Sequence, residues 1–350
     1  MDYGIALAPS ADAWKLVKRA EALGFSHAWF YDTQMLCADV FVAMAAAAVH
    51  TSRIRLGTGV LIPSNRIAPV AANALASLNR LAPGRIIFGV GTGFTGRLTM
   101  GLPAMKLSAL AEYVRVVRAL LAGDRVEWEC EGHQRTIQFL NPELGLINLA
   151  DPIPLHLSAM GPKSRKLTAR IADGWVNFVF AVPVAVAEAE TMLAEWRAAG
   201  REPASWYATG FSLGCVLGDG EAYDSPRAKA QAGPLAAVML HAMIEQRLSG
   251  GLGAEIDSLL ARYRRVYEGY EPADARYLTL HRGHLLFLRP EEEQLITADL
   301  IRDFTFTGTR EALIDRLRAL RDAGYRQWAI QVVPGHENAL EDWVGVIEKV

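Results

Sequence analysis

Two rhythms alternate along the chain. Short apolar runs rich in β-branched and aromatic residues, the pattern of buried strands, fall near Tyr3–Ala8, His27–Tyr31, Ile54–Val60, Ile86–Val90, Pro154–Ser158, Trp175–Val179, Tyr207–Leu217 and Trp328–Val333. Between them lie stretches with helical spacing of apolar residues, near Ala11–Leu23, Val40–Val49, Pro69–Leu81, Leu107–Leu121, Lys163–Ile171, Val184–Ala199 and Arg310–Ala323. Gly24, Gly123, Gly200 and Gly324 follow four of these, as expected of helix stops. Strands separated by helices in this way predict a single closed parallel barrel, the (β/α)8 or TIM barrel, with functional atoms on loops at the C-terminal strand ends.

Two segments depart from the repeat. Residues 125–139 read as an inserted hairpin, Val126-Glu-Trp-Glu followed by Arg135-Thr-Ile-Gln-Phe. Residues 218–309, after the seventh strand, are far longer than the ~2–6 residues usual between a strand and its helix. They carry helical patterns of their own at Ala228–Leu248 and Ala254–Tyr267, so a lid or substrate wall is expected there. No linker composition divides the chain, and residues 1–350 are expected to form one domain.

The segment Asp39-Val-Phe-Val-Ala-Met-Ala-Ala-Ala-Ala-Val-His50 is apolar on every face, although an outer barrel helix should be polar toward water. With the small-residue helix at Pro69–Leu81, this predicts a homodimer interface. A formal charge of −2 gives no reason to expect nucleic acid or an anionic membrane surface as a partner. Cys37, Cys130 and Cys215 are too scattered for a disulfide framework or a zinc motif. Met1 leads directly into a strand pattern, and the apolar stretch from Trp175 to Ala187 is broken by Asn177 and Pro183. A cytoplasmic protein without leader or membrane span is expected.

Candidate chemistry gathers at the strand ends. Leu56-Gly-Thr-Gly-Val-Leu-Ile-Pro63 places glycines inside a strand, the mark of a bulge or a close backbone approach. Gly91-Thr-Gly-Phe-Thr-Gly96 satisfies G-x-G-x-x-G, but no helical period is evident before Pro103 and Glu112 falls on a helix, so a dinucleotide fingerprint is not expected. Ser158-Ala-Met-Gly-Pro-Lys-Ser-Arg165 ends a strand and opens a helix whose free N–H groups suit an anion. His281-Arg-Gly-His284 lies in the long insertion; no third metal ligand is evident, so no metal site is expected, and His284 is a candidate for the substrate pocket or proton transfer. His156 reads as a core histidine, and His336 and Asn65-Arg66 as further residues near the active face.

The segments Arg53–Pro63 and Gly84–Gly93, with Ala28-Trp-Phe-Tyr-Asp-Thr33 and Ala172-Asp-Gly-Trp175, resemble the luciferase-like family of flavin and deazaflavin oxidoreductases, from Tyr3 to about Val333. The resemblance implies a flavin or deazaflavin ring across the barrel mouth. It places a non-prolyl cis peptide at Gly59–Val60 behind that ring, Gly91 and Ser158 on the same face, and the coenzyme phosphate at Gly161, Lys163 and Ser164. Family members that oxidise sugars or alcohols carry Asp-His where this chain has Asp32-Thr33, and threonine is no general base near neutral pH. Asp32 is left to bond the ring, orient a neighbour or cap its turn. The leading expectation is a monooxygenase using reduced FMN, delivered by a separate flavin reductase, and O2 on a small organic substrate. Beside it stand hydride transfer with the deazaflavin F420, similar to methylenetetrahydromethanopterin reductase, and a non-catalytic flavin-binding protein.

Overall fold

The computed structural model describes residues 1–245 and 254–350. Its first half runs β1 (Asp2–Leu7), α1 (Trp14–Ala22), β2 (His27–Phe30), α2 (Val40–His50), β3 (Arg55–Thr58), α3 (Ala68–Leu81), β4 (Ile86–Val90), α4 (Phe94–Leu98) and α5 (Leu107–Leu121). The hairpin β5 (Val126–Cys130) and β6 (His133–Ile137) comes next, then β7 (Leu155–Ser158), α6 (Pro162–Ile171), β8 (Gly174–Phe178), α7 (Val182–Ala198) and β9 (Ala208–Ser212). The remainder comprises β10 (Val216–Leu217), α8 (Pro226–Glu245), α9 (Ala254–Glu268), α10 (Tyr277–Leu280), α11 (Pro290–Glu293), α12 (Ala298–Phe304), β11 (Gly308–Thr309), α13 (Arg310–Asp322), β12 (Tyr325–Gln331) and α14 (Ala339–Ile347).

Eight parallel strands close in the order β1-β12-β9-β8-β7-β4-β3-β2. Gly4 pairs with His27 on one side and Ala329 on the other, which joins the first and last strands of the barrel. Side chains alternate across each strand. One set, including Ile5, Leu7, Phe30 and Phe88, packs outward on Val17, Leu75, Leu120, Trp196 and Trp343 of the helices. The other, with Ala6, Trp29, Tyr31, Ile87, Val176, Phe211 and Ala329, fills the barrel. The expected (β/α)8 barrel and the antiparallel β5–β6 hairpin are both present.

Outside the insertion, where α10, α11 and α12 add to the two expected helices, three features differ from the sequence reading. The expected strand Tyr207–Leu217 is two. Gly214 lies so close to Phe306 that a Cβ would sit 1.9 Å from its carbonyl oxygen, and beyond it the chain leaves the barrel; β10 then pairs in parallel with β11. The short helix α4 opens at Phe94, inside the glycine motif, where no helical period was evident. It is shorter than two helical turns, too short for periodicity to declare. The closed barrel excludes the dinucleotide-binding sheet on topology instead. The C-terminal helix α14 was also not foreseen.

The insertion builds a core of its own from Cys215, Leu217, Ala232, Leu240, Tyr263, Leu300 and Ile301. Its first helix, expected to run to Leu248, is described as far as Glu245, and residues 246–248 lie outside the described residues. No helix among the described residues is long and apolar enough to cross a membrane.

Candidate active site

The bulge in β3 forms as its glycines suggest. Gly57 pairs with Ile87, but pairing resumes only at Leu61 with Val90, so β3 carries one extra residue. Within that excursion the Gly59–Val60 peptide is cis. A Cβ on Gly91 would lie 3.0 Å from Val60 Cγ2 and 3.4 Å from Ser158 Cβ. Gly59–Val60, Gly91 and Ser158 thus meet at the C-terminal mouth of the barrel, a surface of bare backbone and small side chains.

Gly57, and in part Gly59, also accommodate a side chain inside the barrel. A Cβ on Gly57 would sit 2.5 Å from the indole of Trp29, and one on Gly59 would sit 2.9 Å from Trp29 Cβ. Trp29 is fully buried, and its Nε1 donates to Gln327 Oε1 at 2.9 Å. Gly57 therefore makes room for the barrel's own tryptophan, and Gly91 is the glycine that shapes the mouth.

Asp32 is almost fully buried at the end of β2. Its Oδ2 accepts from the Ile62 N–H at 2.9 Å and Asn65 Nδ2 at 3.2 Å, while Oδ1 accepts from Arg66 Nη1 at 2.9 Å. Asn65 also donates to Gln34 Oε1 at 2.8 Å, and Gln34 Nε2 donates to the Gly96 carbonyl at 2.8 Å. The carboxylate thus pins the loop after the bulge and ties it to α4. Thr33 donates its hydroxyl to Cys37 Sγ at 3.4 Å.

The turn from β7 into α6, where an anion was expected, forms at Gly161, but one of its candidate groups is engaged within the turn. Ser164 Oγ accepts from the Gly161 N–H at 3.1 Å and donates to the Gly161 carbonyl at 2.8 Å, so this hydroxyl is committed to its own turn. The N–H groups of Lys163 and Ser164 remain at the helix start, pointing out as at any helix N-terminus. Lys163 is exposed, whereas Arg165 is buried against Glu188. Asn177 also turns away from the mouth: its Nδ2 donates to Glu188 Oε2 and Tyr325 OH, both at 2.9 Å.

The insertion covers the mouth from one side. His284 Nε2 lies 3.0 Å from Thr95 Oγ1, Gln331 Nε2 donates to the Leu285 carbonyl at 3.0 Å, and the ring of Tyr277 closes on Gly101. Leu285 joins Phe178, Phe180, Leu213, Leu235 and Val333 in an apolar cluster. His284 is buried inside the insertion, in ring contact with both His281 and His241 of α8. The third histidine that spacing did not reveal is therefore His241, forty positions upstream of His281. Burial holds His241 and His284 below the ordinary histidine range, hence neutral. His156 sits at the opposite, N-terminal end of the barrel, beside Trp29 and Tyr207, and His336 is half-buried in the turn after β12.

Comparison with known proteins agrees with this architecture. The chain is 31% identical over 179 residues to a 5,10-methylenetetrahydromethanopterin reductase of Methanolobus tindarius, covering 50% of this chain and 53% of that protein. It is 37% identical over 142 residues to an F420-dependent glucose-6-phosphate dehydrogenase of Nakamurella multipartita, covering 38% of this chain and 40% of the relative. These matches thus span about half or less of the curated relatives. Among solved structures, a coenzyme F420 dependent tetrahydromethanopterin reductase from Methanopyrus kandleri shares the fold with a TM-score of 0.70 at 21% identity, covering 98% of this chain and 97% of that one. The profile of the family described as luciferase-like monooxygenase matches residues 3–327, nearly the whole barrel with its insertion, and the chain belongs to that family.

Proposed function

We propose that this protein is a deazaflavin oxidoreductase that uses F420 to transfer a hydride to or from a small organic substrate. The observation that carries the reading is its 31–37% identity to a methylenetetrahydromethanopterin reductase and to an F420-dependent dehydrogenase. The expectation of a monooxygenase fed with reduced FMN has weaker support, since beyond the family's general description it rests on more distant solved structures of 12–18% identity. The deazaflavin alternative therefore becomes the main reading.

The mouth limits what kind of substrate fits. Position 33 holds threonine, the Asp32 carboxylate is engaged by three donors, and His284 faces Thr95 inside the insertion. An alcohol must lose a hydroxyl proton as it loses a hydride, and no free general base stands at the end of β2 to take it. An iminium or comparably activated C=N group accepts a hydride without needing a proton. We therefore place this chain with reductases of activated double bonds. A bound reduced deazaflavin supplies the hydride; the protein's part is to position it and exclude water. Gly91, Val60 and Ser158 receive the ring, Lys163 and the start of α6 hold the phosphate, and the insertion walls the substrate side.

Anaerobic titration of the purified full-length protein with F420 and with FMN tests the reading. F420 is expected to bind at least roughly tenfold tighter, a difference of ~1.4 kcal/mol. Its reduced form is expected to be reoxidised by an iminium substrate without O2. Tighter binding of FMN, with turnover that requires O2, would return the monooxygenase to first place.

A further inference from the structure

We propose that His241, His281 and His284 form a binding site for one divalent transition-metal ion, zinc by its chemistry, that fastens the insertion together above the barrel mouth. One ring nitrogen from each lies within 4.8 Å of those of the other two, and this is the one such group among the described residues. All three side chains are buried. His241 comes from the end half of α8, while His281 and His284 flank the turn after α10, so a shared ion would bridge two separate segments of the insertion.

The hydrogen bonds divide each ring into an occupied and a free nitrogen. His241 Nε2 lies 2.6 Å from Glu292 Oε1, His281 Nε2 lies 2.8 Å from Glu245 Oε1, and His284 Nε2 lies 3.0 Å from Thr95 Oγ1. The Nδ1 atoms of the same three histidines are buried with no hydrogen-bond partner among the described residues. A neutral imidazole carries one N–H, and a carboxylate beside Nε2 draws that hydrogen there. Nδ1 of His241 and of His281 is then left as a lone pair, and His284 offers a third when its Nε2 donates to Thr95 Oγ1. Carboxylate-backed imidazoles of this kind are the usual ligands of zinc, the carboxylate fixing the tautomer and raising basicity. Glu245 also places negative charge close to the added cation, whereas the charge of Glu292 is shared with Arg289, whose Nη2 donates to the same Oε1.

The geometry needs little adjustment. Three nitrogens spaced at 4.8 Å have a common centre about 2.8 Å from each, against ~2.0–2.1 Å for a zinc–imidazole bond, so each ring moves inward by roughly 0.7 Å or less. Three imidazoles leave a fourth position for water. The ligand set suits zinc, cobalt or nickel better than magnesium or calcium, which prefer oxygen.

The test begins with full-length protein stripped by a chelator and dialysed. Zinc is then added, and bound metal and the melting temperature are followed together; cobalt serves as the spectroscopic probe. One zinc per chain, a higher melting temperature and the visible bands of tetrahedral, nitrogen-ligated cobalt are expected. H281A and H284A are expected to lose the stoichiometric zinc, whereas H133A, in the exposed hairpin, keeps it. E245Q leaves all three ligands in place and is expected to weaken zinc roughly 10–100-fold. This conservative variant and the cobalt spectrum of the unaltered protein decide the matter if a histidine variant does not fold. Absence of saturable zinc binding, absence of the cobalt bands, or full zinc binding by E245Q and the histidine variants alike would overturn the proposal.

Discussion

Residues at the closed end of the barrel make a clear statement about pH. Burial pushes His156 down to about 3, assisted by the charges of His27 and Arg55. Burial also pushes His27 down to about 4, with Asp2 opposing and Arg55 assisting. Tyr207 and Trp29 complete the surroundings of His156, and Ser26 Oγ lies 2.8 Å from His27 Nδ1. Both histidines titrate near 6.5 once unfolded, so below that pH the unfolded chain binds more protons than the native one. Their contribution to stability is complete above about pH 6.5 and falls as pH drops toward 4, by at most ~1.4 kcal/mol per pH unit per histidine. Urea unfolding at pH 7 and pH 5 should show this loss. His156→Gln should make the pH dependence shallower whatever it does to stability at pH 7. An unchanged slope in the variant would mean that His156 is not held neutral in the fold.

At the scale of elements, α6 offers the most direct test of the proposed coenzyme site. Lys163→Ala removes an exposed charge from the start of the helix and should weaken F420 by about ten- to a hundredfold, or ~1.5–3 kcal/mol, through a lost charge-assisted contact. A phosphate-free deazaflavin should bind the parent and the variant equally; parallel weakening of both would place the phosphate elsewhere. The barrel itself was largely legible in the sequence, because buried parallel strands are short β-branched runs and their helices end in glycine. What escaped depended on contacts between distant residues. Nothing local announces that Trp29 occupies the space opened by Gly57, that Asn177 faces Glu188, or that His241 lies against His281. The β3 bulge could be read from Gly57 and Gly59 because a glycine within a strand is itself a local signal. The turn from β7 into α6 was legible too, but the commitment of Ser164 to Gly161 belongs to the folded turn.

For the whole molecule, the apolar helix α2 remains the strongest sign of assembly. Val42 and Val49 are 62% and 61% exposed, and Ile67, just before α3, and Val70 within it are exposed as well. A patch of this kind on an outer helix marks a protein interface, and a homodimer is the expected state. Ala46→Arg combined with Val49→Arg should yield monomers in sedimentation experiments; a monomeric parent would reject the interface. Ala47, on the same helix, is fully buried, so arginine there would disrupt the barrel and not the dimer. The pairing of β10 with β11 has a different consequence. Val216 and Leu217, where the chain departs from the barrel, lie directly beside Gly308 and Thr309, where it returns. Neighbouring strands are only ~4.8 Å apart. The described part of the intervening segment, with a core of its own, thus leaves and re-enters the frame at one narrow gate, so a segment exchanged there would have to keep that spacing and replace the contacts at Thr95, Gly101 and Gln331 while the eight strands keep their register.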